Sequence, residues 1–362
     1  MRVSVCMLTH NHEEFIEQSI TSALDQKVGF DYEIVVGEDC SADSTANILR
    51  RLEARHSGRL KVEYREKNLG VEVNFLKTLA ACRGEYVAFL EGDDFWTSND
   101  KLELQVGFLD QYKEASFCFH RTRTLNSIDQ STEFVLPAFD PPALSSIDFL
   151  IQESNPVALS SVMAHRSYLS GLSDWIAGLN LCDWPLCLML ACKGRVGYIP
   201  MEMSRYRVHC KGSWSSLNSH LRVAYVIQML DRVSRLMSGN ERDLIERRKA
   251  ELADWWAGDL ICTPSAPLDA LVDKLNRSGD CELSTYLLLK VTEVARKVQQ
   301  AALWHEQQSR AWEATSAQLT TQLNASVAEL SLNATKLEEW EGRIELVASD
   351  QVRKWLAGFR PR

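Results

Sequence analysis

Residues 3–26 read VSVCMLTHNHEEFIEQSITSALDQ, and the change of rhythm inside them decides the fold. The first seven are a short run rich in strand formers, bounded by His10 and Asn11, which predicts a buried strand. From Glu13 the spacing lengthens, and Phe15, Ile16, Ile20, Ala23 and Leu24 fall on one helical face. The pair then recurs. YEIVVGED (32–39) predicts a second strand, and STANILRRLEARH (44–56) a helix capped by Ser44 or Asp43. LKVEYRE (60–66), VEVNFLKTLAACR (71–83) and EYVAFLEG (85–92) repeat strand, helix and strand. This alternation implies an α/β domain built on a mainly parallel central sheet with helices on both faces.

Ligands of such sheets bind beyond the carboxyl ends of the strands. The predicted strands end at Thr9-His10-Asn11, at Glu38-Asp39 and at Glu91-Gly92-Asp93-Asp94, so polar groups from distant segments should share one crevice. The last of these, EGDD, crowds three carboxylates into four positions after an apolar run. Such a group either holds a hard divalent cation or performs acid/base chemistry with one raised pKa, while an isolated GDD serves equally well as turn geometry.

The rest of the composition narrows the choices. The chain has 362 residues, 45% hydrophobic and 25% charged, which is globular composition. A net charge of −9 argues against nucleic acid as a partner. The ten cysteines contain no CxxC pair and read as free thiols in a reducing compartment. No apolar run reaches the roughly 18 residues of a membrane span, and the N-terminus lacks the core of a signal peptide, so the expected location is cytoplasmic, with peripheral contact at the inner membrane face as the alternative. GxxxxGK[ST], GxGxxG after a strand and GxSxG are all missing, which removes most support for P-loop, dinucleotide and α/β-hydrolase chemistry. A carboxylate-held cation without a glycine-rich cradle leaves a sugar nucleotide as the candidate ligand.

Five segments carry a closer resemblance: residues 3–26, YEIVVGEDCSADST, NLGVEVNFLKTLAACRGEYVAFLEGDDFW, KLELQVGFLD, and CDWPLCLMLACKGRVGYIPMEMSRYRVHCKGSWS. Their order and spacing resemble a family 2 glycosyltransferase of the GT-A fold over residues 1–215. That resemblance implies that Asp39 contacts the nucleotide base and that Thr9 and Asn11 lie against the nucleotide. It further implies that Asp93 and Asp94 hold Mn²⁺ or Mg²⁺ against the diphosphate, and that Asp183 is the general base of an inverting transfer. Arg207 and His209 fall in the segment that contacts phosphates or metal. For His209 a structural role explains the residue as readily, as helix capping does for Asp183. Trp96, Trp184 and Trp214 line the sugar or acceptor site on one reading and belong to the core on the other.

Three positions depart from the family pattern: Glu91 stands for the first DxD aspartate, Cys40 for a glycine, and Cys182 for an acid before the base. Glu91 is expected to reach a water or the ribose. The expected partners are a nucleotide-sugar donor and a glycan or lipid-linked acceptor, in the synthesis of a cell-surface polysaccharide. The competing reading is a transferase-like scaffold without turnover, and a nucleotidyltransferase stands third.

The expected organisation is a GT-A domain over 1–215, with a nucleotide-sugar half (1–115) and an acceptor half (116–215), a helical extension over 216–292, and a long helix over 293–350. Leu323, Leu330, Leu337 and Ile344 recur every seven residues in that helix, and Trp312, Leu319, Trp340 and Val347 lie on the second seam, which Ser326 and Asn333 interrupt. The pattern predicts a coiled coil and a homo-oligomer. The tail, 351–362, is basic and aromatic, a composition suited to an anionic membrane surface.

Overall fold

A computed structural model describes residues 1–262, apart from 129–132, 153–154, 180, 213 and 218, together with 290, 293 and 294. The predicted helix over 293–350 and the tail lie outside the described residues, 293 and 294 excepted. The first half follows the alternation read from the sequence: β1 (Val3–Thr9), α1 (Ile16–Leu24), β2 (Tyr32–Glu38), α2 (Thr45–Arg55), β3 (Leu60–Tyr64), α3 (Val71–Ala81) and β4 (Tyr86–Glu91). It continues with β5 (Phe95–Trp96), α4 (Lys101–Gln111), β6 (Ala115–Asn126), β7 (Val135–Leu136), β8 (Leu144–Ser145) and α5 (Ile147–Gln152). Then come β9 (Met163–His165), α6 (Leu172–Ile176), α7 (Asp183–Ala191), β10 (Arg195–Val208), α8 (Ser219–Ser234) and α9 (Gly239–Cys262).

One sheet runs in the order β3-β2-β1-β4-β9-β6-β10-β5, with β7 on β6 and β8 on β10. The four strands β3, β2, β1 and β4 are parallel. The other half is mixed, because β9 pairs antiparallel with both β4 and β6 while β6 and β10 run parallel. Strands buried on both faces explain why VSVCMLT and YVAFL read as continuous runs. Val3, Val5 and Met7 pack with Ile34, Val36, Ala88 and Leu90 against Ile16, Ile20 and Ala23 of α1 and Leu49 and Leu52 of α2. On the other face Phe75 of α3 meets Phe89 edge-on at 5.7 Å. A Cβ at Gly37 would stand 2.0 Å from Thr78 Oγ1, so the close seating of α3 on β2 requires that glycine.

Register places the strand ends together. Thr9 pairs with Glu38, and Leu8 with Glu91. The order 3-2-1-4 reverses direction between β1 and β4, and the crevice at such a reversal is where α/β sheets bind ligands.

The chain divides into two units, Met1–Ser216 with Arg232–Leu244, and Leu217–Asp231 with Ile245–Arg362. The whole sheet lies in the first. In the second, Ala224, Ile227, Met229 and Leu230 are buried, as are Ala253, Trp256 and Ala257, and Trp256 Nε1 donates to the His220 carbonyl at 3.0 Å.

Candidate active site

The acidic cluster sits at the end of β4 and is closed over by the end of β10. Asp94 is fully buried, and its Oδ1 accepts the Arg207 backbone N–H at 2.9 Å. Its Oδ2 has no hydrogen-bond partner among the described residues; the buried Ser160 hydroxyl acts on the carboxylate without meeting hydrogen-bond geometry. Burial and the charge of Asp93 push the Asp94 carboxyl well up from its ordinary value.

Asp93 is held differently. Its Oδ2 lies 3.1 Å from His209 Nε2 and 3.6 Å from His12 Nε2. Burial works to raise its pKa, but the His209 hydrogen bond and the charges of the two rings outweigh burial and hold it below the usual range. His12 was not singled out by the sequence, because it follows the strand end within an unremarkable THNH. Its partner contacts make its position meaningful: His12 Nδ1 is 3.2 Å from Thr9 Oγ1, and a Cβ at Gly92 would come within 2.8 Å of that nitrogen. Gly92 is therefore the residue that lets the acidic turn approach β1.

Arg207 ties the turn to the rest of the site. Its guanidinium donates to the Asp93 carbonyl and to Gln18 Oε1, and lies 4.9 Å from the Phe15 ring centroid and 4.5 Å from that of Phe95. The phosphate-binding segment expected around Arg207 and His209 thus meets the acidic turn directly.

Asn11 and Asp39 occupy the neighbouring loop pair. Asn11 Oδ1 accepts the Ala42 N–H at 2.8 Å, and Asn11 N–H donates to Ser41 Oγ at 2.9 Å. Asp39 accepts from the backbone N–H groups of Leu69 and Gly70 at 2.8 and 3.0 Å, which leaves each oxygen with a further lone pair. Cys40, where the family pattern has glycine, takes φ 57°, the left-handed region that glycine enters without strain.

Asp183 stands at the start of α7. Burial raises its pKa, opposed by an Asn155 Nδ2 hydrogen bond of 2.7 Å to Oδ2 and by helix N–H groups. Glu91, half-buried, is raised by burial first and then by the charges of Asp93, Asp94 and Asp183. The Tyr206 phenol is likewise raised by burial and then by Glu91, Asp94, Asp93 and Asp183, which places it in the field of all four carboxyls. Asn155 and Tyr206 went unnoticed in the sequence; a lone Asn before a proline and a Tyr within a strand carry no motif.

Two tryptophans resolve to the core. Trp96 is 4% and Trp184 1% exposed, with their indole N–H groups on the carbonyls of Ser160 and Leu150. The open alternative of a sugar-lining role is closed for both by that burial. Trp214 is half-buried.

Among the described residues no three His, Cys, Asp or Glu side chains form a closed ligand set for a metal ion. The donors present suit an ion of another kind. A hard divalent cation takes one or two protein carboxylates and completes its shell with phosphate oxygens and water, and Asp94 Oδ2, which lacks a hydrogen-bond partner among the described residues, is one carboxylate oxygen of that kind.

A parallel half whose strand ends meet at a reversal crevice lined by acids, with a separate half-buried carboxylate at a helix start, is the arrangement of the GT-A fold. Residues 4–144 match the family profile for glycosyl transferase family 2. The uncharacterized protein Rv1520 of Mycobacterium tuberculosis is 29% identical over 352 residues, spanning 94% of this chain and 93% of that protein. WfgD of Escherichia coli, a UDP-Glc:alpha-D-GlcNAc-diphosphoundecaprenol beta-1,3-glucosyltransferase, is 30% identical over 135 residues, or 37% of this chain and 51% of WfgD. A mannosyltransferase of Pyrobaculum calidifontis, solved with GDP-Man and Mn²⁺, shares the fold with a TM-score of 0.54 at 15% identity, covering 92% of this chain and 88% of that one.

Proposed function

We propose that the protein is a divalent-metal-dependent, inverting glycosyltransferase that moves a sugar from a nucleotide-sugar donor to a hydroxyl of a saccharide or lipid-linked acceptor in cell-surface polysaccharide synthesis. The observation that carries this reading is the meeting of Asp93, Asp94, Arg207 and His209 at the end of β4, with Asp183 as a distinct, hydrogen-bonded carboxylate. WfgD, which uses UDP-Glc and a lipid diphosphate sugar, supports the donor class and the acceptor class. Mn²⁺ beside GDP-Man in the mannosyltransferase supports the metal.

Asp39, with Thr9 and Asn11, receives the base and ribose end of the nucleotide. Asp93 and Asp94, with His209, would hold Mn²⁺ or Mg²⁺, which supplies positive charge for the departing diphosphate. Arg207, lying across Phe15 and Phe95, adds a fixed cation at the same end of the site. Asp183 takes the proton of the acceptor hydroxyl as that oxygen bonds to the anomeric carbon, and the sugar–phosphate bond breaks with its electron pair on the nucleoside diphosphate. One base suffices for a single displacement, and no sugar–enzyme bond forms.

Thermal shift against nucleoside diphosphates and nucleotide sugars, with and without Mn²⁺, tests the reading. The expected result is metal-dependent stabilisation by one nucleotide series, lost in Asp93→Asn/Asp94→Asn. A folded chain that no nucleotide stabilises would instead be the scaffold without turnover.

A further inference from the structure

Asn155 carries features that packing alone leaves unexplained. It holds φ 61°, a left-handed conformation that Asn tolerates better than most residues but that still costs energy, directly before Pro156. Its amide faces Asp183 at 2.7 Å. A carboxylate only accepts hydrogen bonds, so the nitrogen is the atom turned toward Asp183. That orientation leaves Asn155 Oδ1 buried and without a partner among the described residues. A carbonyl oxygen beside a base is an acceptor suited to an O–H group.

The segment that follows fixes the geometry. Ser160 O takes the Trp96 indole N–H at 2.9 Å, and Val162 O takes the Phe89 N–H at 3.1 Å, so the chain from 155 to 162 is fastened to β4 and β5 on either side of the acidic turn. The same segment therefore reaches Asp183 through Asn155 and Asp94 through Ser160.

We propose that Asn155 is a positioning residue of the acceptor site: Nδ2 fixes Asp183 through Oδ2 so that the carboxylate keeps a lone pair for the incoming hydroxyl, and Asn155 Oδ1 receives a second O–H of the acceptor. For a sugar that second group is a neighbouring hydroxyl, and for water it is the other hydrogen. The acceptor class is thereby narrowed to molecules with a second hydroxyl donor beside the reacting one. The inference rests on the transferase reading above.

Solvent itself is the probe. Thermal shift with UDP or GDP and Mn²⁺ identifies the nucleotide, and hydrolysis of its sugar conjugates to the diphosphate is then followed against pH in the full chain. Asn155→Gly keeps the left-handed backbone and removes both amide atoms; Asn155→Asp keeps an acceptor oxygen and replaces the donor with a like charge. Both are expected to retain nucleotide-induced stabilisation and KM for the donor. In Asn155→Gly kcat should fall about 10- to 100-fold. In both variants the acid limb of the kcat profile should move up by about one pH unit, because the lost hydrogen bond favoured the charged base. A limb that stays in place in both variants, or a loss confined to Tm, makes Asn155 structural and overturns its role alone. No stabilisation of the native chain by either nucleotide overturns the transferase reading and the role of Asn155 together.

Discussion

Asp183 is half-buried, and the loss of solvent around its carboxyl favours the neutral form, whereas the base role proposed for it needs the charged one. The consequence is a rate that falls as pH drops through a value above the ordinary aspartate pKa of about 3.9. In single-turnover experiments the acid limb is expected to lie above that value and to vanish with Asp183→Asn, which should also lower kcat by about 10²- to 10⁴-fold while nucleotide binding survives. A variant that bound nucleotide normally and lost less than tenfold would place the base elsewhere. At the same scale His12 shows what a single residue hides. The sequence exposes the acids because they are clustered, whereas His12 gains its role only when β1 and β4 lie side by side and bring its ring to Asp93.

At the scale of elements, the two ends of the parallel half have opposite tasks. Its carboxyl ends gather Thr9, Glu38, Asp39, Glu91 and the acidic turn at one edge, while at the amino ends Glu33 of β2 is closed off. The Glu33 carboxylate accepts Ser4 Oγ at 2.7 Å, the Arg83 N–H at 2.9 Å and the Arg83 guanidinium, and a Cβ at Gly84 would meet Ser4 N at 2.3 Å. Burial raises the Glu33 pKa, but the hydrogen bonds from Arg83 and Ser4 overcome it and depress the folded-state value. A depressed carboxylate contributes stability above its unfolded pKa of about 4.3, and that contribution disappears as pH falls through the folded value. Glu33→Gln is therefore expected to cost about 1–3 kcal/mol by urea unfolding at pH 7. The difference should shrink as pH falls below about 4, and a gap that stayed constant would show that shape rather than charge holds this corner.

These elements also mark how far the sequence could be read. β1 to β4 and the helices between them were legible because each is a local pattern, a buried run or a helical stripe, and because βαβ connection leaves little choice of arrangement. The second half was not, since β9 wedges antiparallel between β4 and β6, pairing with residues about 75–80 positions before it in β4 and about 45–47 before it in β6, which no period encodes. Trp96 and Trp184 stayed ambiguous for a related reason: an aromatic beside an acid looks the same whether it turns toward ligand or core.

At the scale of the molecule, the described site lies wholly within the unit formed by Met1–Ser216 and Arg232–Leu244. No described helix is long and apolar enough to cross a membrane, so any membrane contact must come from surface association or from residues outside that description. In the sequence Leu323, Leu330, Leu337 and Ile344 recur every seven residues, with Ser326 and Asn333 on the second seam, and we propose from this spacing that the segment pairs with a second copy of itself. A chain ending at residue 262 separates the two functions. It should keep the full Mn²⁺- and nucleotide-dependent rise in Tm, since every residue assigned to donor, metal or base is retained. By light scattering the full chain should have twice the monomer mass and the shortened chain the monomer mass. A full chain that stays monomeric at tens of micromolar removes the coiled coil, and a shortened chain that folds but no longer responds to nucleotide makes the C-terminal region part of the catalytic unit.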